Sequence, residues 1–116
     1  MEKRKSIDRG DIIHIDLDPT KGREQQGKRF ALVLSPKAFN ETGLAFVAPI
    51  TQGGDYSQHK GFAVTLMGSG TRTQGAVLVN MTKSLDLNTR NAKRIESAPE
   101  EIVTDAMYRL EAILEG

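Results

Sequence analysis

Between Thr20 and Arg29 the chain runs ten residues without an apolar side chain and sets four cations, Lys21, Arg23, Lys28 and Arg29, around one carboxylate, Glu24. A charged segment of this kind is either a solvated loop or a phosphate site, in which an Arg fork takes two phosphate oxygens and neighbouring cations raise the local potential. Composition alone leaves both open. Glu24 weakens a phosphate site unless it takes a proton or aligns the Arg that binds. RNA offers such a proton at its 2′-hydroxyl. Attack of that oxygen on the adjacent phosphorus needs a proton acceptor, a cation beside the crowded phosphorane and a proton donor for the leaving 5′-oxygen. Glu24 and Arg29 supply the first two without a metal.

The bulk numbers restrict the alternatives. The 116 residues contain no cysteine and two histidines, so a disulfide framework, a thiolate zinc site and a cysteine nucleophile are all excluded. A formal charge of +1 does not make a general polyanion binder, so any affinity for nucleic acid must come from a local patch. No apolar run approaches the roughly 18 residues of a membrane span. The Met1–Lys5 start is not followed by a signal-peptide core, so the chain reads as cytoplasmic, with no membrane role. At this length one domain with one modest core is expected, with residues 1–9 as a flexible polar tail and residues 10–116 as the domain.

Short strands must hold these side chains. Gly10 to Asp18 alternates, with Ile13, Ile15 and Leu17 on one face and Ile12, His14, Asp16 and Asp18 on the other, which is the period of a half-buried strand; Pro19 ends it. Phe30 to Leu34 and Leu44 to Ile50 are nearly continuous apolar runs, as in strands buried on both faces, and Lys37 to Asn40 between them fits one helical turn. Gly61 to Leu66 and Gly75 to Val79 read as two more strands around a Gly-Ser-Gly turn. Near the end the period changes: Ile102, Val103, Ala106, Leu110, Ile113 and Leu114 recur at three and four, after a Ser97-x-x-Glu100 pattern that resembles a capping box. Five or six strands and a terminal helix predict a mainly β fold, a small curved antiparallel barrel whose open end the helix covers.

The segment from Gly10-Asp11-Ile12 through Asp18-Pro19-Thr20-Lys21-Gly22-x-Glu24-Gln25-Gln26-Gly27-x-Arg29 to Ala31-Leu32-Val33-Leu34-Ser35-Pro36 resembles the MazF/PemK/Kid ribonuclease toxins, and especially their ChpB and Kid branch. The match continues through Ala38-Phe39-Asn40, Val47 to Gly54, Gly61 to Val64, Thr71-Arg72-Thr73-x-Gly75, Lys83 to Asp86 and Lys93-Arg94-Ile95, so it covers about residues 10–115. The resemblance implies an SH3-like barrel with a C-terminal α-helix and short connecting helices, assembled as a homodimer. It implies a type II toxin that cleaves single-stranded mRNA sequence-specifically, with no metal or cofactor, leaving 2′,3′-cyclic phosphate and 5′-hydroxyl ends. It further implies a cognate antitoxin with an acidic, disordered C-terminal segment, and contact with DNA only through that antitoxin.

Carried over by position, the resemblance makes Glu24, Arg29 and Thr51 catalytic, and Lys21, Arg23, Gln25, Gln26, Lys28, Gln52, Tyr56, Arg72, Asn80 and Lys83 RNA-binding. Two positions depart from the pattern. Phe30 stands where relatives commonly have proline, whose fixed φ would stiffen the residue after the arginine. Asn80-Met81 stands where many have Asp-Gln, and Leu78 replaces an arginine; Asn80 cannot titrate, which shifts weight to Glu24, Arg29 and Thr51. His14 reads as structural, and Tyr56 is the aromatic best placed to stack on an unpaired base. Two other functions remain open from sequence: a CcdB-like gyrase poison acting through the terminal helix, and a non-catalytic SH3-like RNA- or peptide-binding module.

Overall fold

The computed structural model of the chain describes residues 6–16, 28–52 and 61–116, with only the backbone of Lys28. The alternating segment forms β1 (Asp11–Asp16), the first apolar run β2 (Lys28–Val33) and the second β3 (Leu44–Thr51), with the one-turn helix α1 (Lys37–Asn40) between β2 and β3. β4 (Ala63–Thr65) and β5 (Ala76–Leu78) follow, then a 3-10 turn (Val79–Met81), β6 (Lys83–Asp86), β7 (Lys93–Ser97) and the terminal helix α2 (Glu100–Glu115). All strand pairs are antiparallel, in the order β4-β5-β3-β2-β1-β7. β6 pairs with the first half of β3, Leu44 to Val47, while β5 pairs with its end, Ile50 and Thr51.

Alternation along these strands gives the sheet two apolar faces, as the unbroken runs in β2 and β3 require. Ile12, Leu32, Ala48, Ile50, Val64 and Val77 form a first cluster with Ile102 and Ala106 of α2, and Met107 and Leu110 pack against its margin. Ile13, Ile15, Ala31, Val33, Ala45 and Val47 form a second, covered by Ile7, Leu85, Leu87 and Ala92. Burying both faces of one sheet is how a chain this short obtains a sufficient core. Among the described residues no helix is long and apolar enough to cross a membrane.

Four local expectations change. Among the described residues there are seven strands rather than five or six: β6 and β7 are largely polar, and in β6 only Leu85 is buried, so neither carries a hydrophobic period. Lys28 and Arg29 belong to β2, not to the loop before it, because pairing with Asp16 and Ile15 of β1 prolongs the ladder. Ser97 is no helix cap; its hydroxyl donates to Asp11 Oδ1 at 3.3 Å and accepts from Arg94 at 2.6 Å. α2 starts instead at Pro99, without a side-chain cap and with Glu100 and Glu101 in its first turn, where carboxylates suit the helix dipole. Finally Ile7, inside the stretch read as a tail, is 1% exposed within the second cluster; one apolar residue among polar neighbours has no period to announce it. Leu17, Asp18 and Pro19 lie outside the described residues.

Candidate active site

Register brings the first two candidates together. Phe30 of β2 pairs with Ile50 of β3, the last pair of that ladder, so Arg29 and Thr51, the last residue of β3, are the next residues out on the two strands. On its other side Arg29 is paired with Ile15, and Thr51 with Ala76. Phe30 and Ile50 point toward the helix-covered cluster, so alternation turns Arg29 and Thr51 to the opposite face. There the second cluster runs out: Ile15 and Ala31 are fully buried, Thr51 is half-buried and Arg29 is exposed. A cation and a hydroxyl thus follow the end of the β2–β3 ladder, at the edge of an apolar floor.

Phe30 is itself anchored. It is paired with His14 and Ile50 on its two sides, packs against the first cluster and lies 4.8 Å from the His14 ring, centroid to centroid, at a tilt of 33°. The residue after Arg29 is therefore held by ladder and packing rather than by a proline ring.

Thr51 is fixed from behind by Gly75. That glycine has φ +120°, and a β-carbon there would lie 2.1 Å from the Thr51 carbonyl oxygen, so only a residue without a side chain allows β5 to approach this closely. The exposed Gln52 side chain reaches the Gln74 carbonyl at 3.4 Å. Arg72 is exposed in the turn between β4 and β5, with its backbone N–H donating to Glu96 Oε1 at 3.1 Å. Glu96 Oε2 also accepts from the Thr73 amide at 2.9 Å and from its hydroxyl at 2.7 Å. Burial raises the Glu96 pKa, but these bonds from Thr73 and Arg72, together with the Arg72 charge, outweigh it and leave the carboxyl below its ordinary value. Neither Gly75 nor Glu96 was marked as functional by sequence. Gly75 lay inside a matched motif without a stated role, and Glu96 is one carboxylate in a polar strand.

Asn80 and Lys83 are placed apart from this group. Lys83 pairs with Val47, four residues before Thr51 and so about 13 Å back along β3. Both line a cleft of about 380 Å³ with Phe46, Leu110, Ile113 and Leu114. Glu24, Lys21, Arg23, Gln25, Gln26 and Tyr56 lie outside the described residues, as does the side chain of Lys28. Among the described residues no three His, Asp or Glu side chains gather as metal ligands.

A family model described as a PemK-like, MazF-like toxin of a type II toxin–antitoxin system matches residues 8–114. The chain is 47% identical to the endoribonuclease toxin ChpB of Escherichia coli K12, over 99% of this chain and 100% of that protein. It is 42% identical to the endoribonuclease PemK of Escherichia coli, over 98% of this chain and 86% of the relative. Among solved structures, a MazE–MazF complex from Deinococcus radiodurans superposes with a TM-score of 0.81 at 32% identity, covering 94% of this chain and 96% of that one.

Proposed function

Because the chain belongs to the PemK-like, MazF-like toxins of type II toxin–antitoxin systems, we propose that it is an endoribonuclease that cuts single-stranded mRNA without a metal. The observation that supports the site is the β2–β3 ladder, which ends at Phe30 and Ile50, next to Arg29 and Thr51, at the open edge of the second apolar cluster.

In the proposed reaction the ribose 2′-oxygen forms a bond to the adjacent phosphorus as the bond to the 5′-oxygen breaks. Glu24 takes the 2′-hydroxyl proton, Arg29 binds the phosphorane oxygens through its guanidinium, and the Thr51 hydroxyl fixes a phosphate oxygen beside it. The leaving 5′-oxygen takes a proton from solvent water, and Glu24 returns its proton to solvent, so the products are a 2′,3′-cyclic phosphate and a 5′-hydroxyl. Positioned proton transfer contributes about 10²- to 10⁴-fold, and a preorganised donor to the developing charge about 3–4 kcal/mol. Lys21, Arg23, Gln25, Gln26, Lys28, Gln52, Tyr56 and Arg72 would hold the flanking RNA; Asn80 and Lys83 would meet it farther along the surface.

The reading carries partners with it. A basic RNA groove suits an antitoxin whose acidic, disordered segment competes with RNA, with DNA bound only through that antitoxin. A homodimer would use the exposed apolar side chains Phe46, Met81, Ile113 and Leu114. The substrate places the activity in the cytoplasm.

The test is cleavage of an unstructured RNA in EDTA. Wild type is expected to cut it, Arg29→Ala at least about 10²-fold more slowly, and an all-2′-deoxy strand is expected to stay intact. Equal cleavage by Arg29→Ala, or of the deoxy strand, would refute the mechanism; growth arrest with all RNA intact would favour a gyrase target instead.

A further inference from the structure

We propose that Glu96 is a positioning residue for RNA cleavage: its carboxylate joins the two open edges of the sheet and thereby sets where Thr51 and Arg72 stand. The inference rests on the ribonuclease reading above and adds to it a residue outside the reacting group.

The strand order puts β4 and β5 at one edge of the sheet and β7 at the other. Among the described residues no ladder pairs the two edges; the Glu96 side chain spans them, beside one long hydrogen bond from the Arg72 guanidinium to the Ile95 carbonyl at 3.5 Å. From β7 it accepts three hydrogen bonds from two consecutive residues of the β4–β5 turn, the Arg72 amide and the Thr73 amide and hydroxyl, at 2.7 to 3.1 Å. Bonds to an ionised acceptor are about twice as strong as neutral ones. Thr73 is a buried residue, 5% exposed, so its amide has no ready substitute in water if the carboxylate is removed.

The turn is internally braced, which makes it transmit rather than absorb a displacement. The Thr71 hydroxyl donates to the Thr73 carbonyl at 2.7 Å, and the Ser69 hydroxyl lies 3.0 Å from that of Thr71. Two residues beyond Thr73, Gly75 lies so close to the Thr51 carbonyl that a β-carbon would not fit between them, and the Gln74 carbonyl receives the Gln52 side chain. One carboxylate therefore governs both the height of β5 against Thr51 and the backbone position of Arg72, and it does so without touching RNA.

The experiment measures kcat and KM of wild type, Glu96→Ala and Glu96→Gln on a single-stranded RNA oligonucleotide, together with the amide NMR signals of each variant. Glu96→Ala is expected to lose at least tenfold in kcat while folded at the assay temperature, and to shift the Thr51 and Gln52 amide signals but not those of Ser84 and Leu85. Glu96→Gln keeps an acceptor for both Thr73 donors and is expected to recover to within about threefold of wild type. Should Glu96→Ala fail to fold, Thr73→Val, which removes one bond of the three, carries the test with a smaller loss in the same direction. Wild type that cuts while Glu96→Ala cuts within twofold of it would overturn the positioning role alone, as would unmoved Thr51 and Gln52 signals. Wild type that cuts no RNA would overturn the ribonuclease reading, and this role with it.

Discussion

Replacing Gly75 with alanine puts a methyl group where the backbone of β3 already is. The new β-carbon would meet the Thr51 carbonyl oxygen at 2.1 Å and its carbon at 3.0 Å. Carbon–oxygen contacts run at about 3.3–3.6 Å, so one strand must yield by about 1 Å. Displacement of that size in a packed sheet costs about 1–3 kcal/mol. Holding an L-residue at a φ of +120° adds a further cost of about 1–3 kcal/mol. A total of about 2–6 kcal/mol lowers the melting temperature of a domain this size by at least about 6 °C. Because the strand that yields carries Thr51, single-turnover cleavage should also slow at 15 °C, where the variant is still folded. Calorimetry and a quenched cleavage assay on the same preparation check both. A melting temperature within about 2 °C of wild type, with an unchanged rate, would refute the contact between β5 and Thr51 as a constraint.

Asn40 is 2% exposed, and its amide donates to the carbonyls of Ile7 and Ser35 at 2.9 and 3.0 Å; Asn40→Ala should cost about 2–4 kcal/mol in urea unfolding, and Asn40→Asp should not restore it, because a carboxylate cannot donate. The Glu96 carboxyl is held below its unfolded-state value of 4.5, so its contribution to stability is complete above pH 4.5 and is lost as the pH falls through the lower folded-state value. Glu96→Gln should remove that part of the acid dependence in melting curves taken from pH 6 to pH 3.

The parts of the fold that were legible in sequence are those with an apolar pattern. β1, β4 and α2 repeat apolar residues at two or at three and four, β2, β3 and β5 are nearly continuous apolar runs, and each appears near its expected bounds. β6 and β7 were hidden because Lys83, Ser84, Lys93 and Arg94 are exposed, and an edge strand needs only its backbone to pair. The same holds at the site. Arg29 is recognisable by type and motif, whereas the closeness of Thr51 to it follows only from register across β2 and β3. Glu96 was invisible because its function lies in a contact between opposite sheet edges, 23 residues along the chain from Thr73, which no local pattern encodes. Lys83 shows the converse: membership of a matched segment does not place a residue beside Arg29, since β6 carries it toward the far half of β3.

The central claim is that the RNA's own 2′-oxygen is the nucleophile, and the chemistry of the cut ends tests it most directly. Mass spectrometry of an oligonucleotide cut in EDTA should find a 2′,3′-cyclic phosphate on the upstream fragment and a 5′-hydroxyl on the downstream one, with the Arg29→Ala reaction giving neither above background. A 3′-hydroxyl paired with a 5′-phosphate would contradict the account, because that pair of ends requires water to attack from the opposite side of the phosphorus.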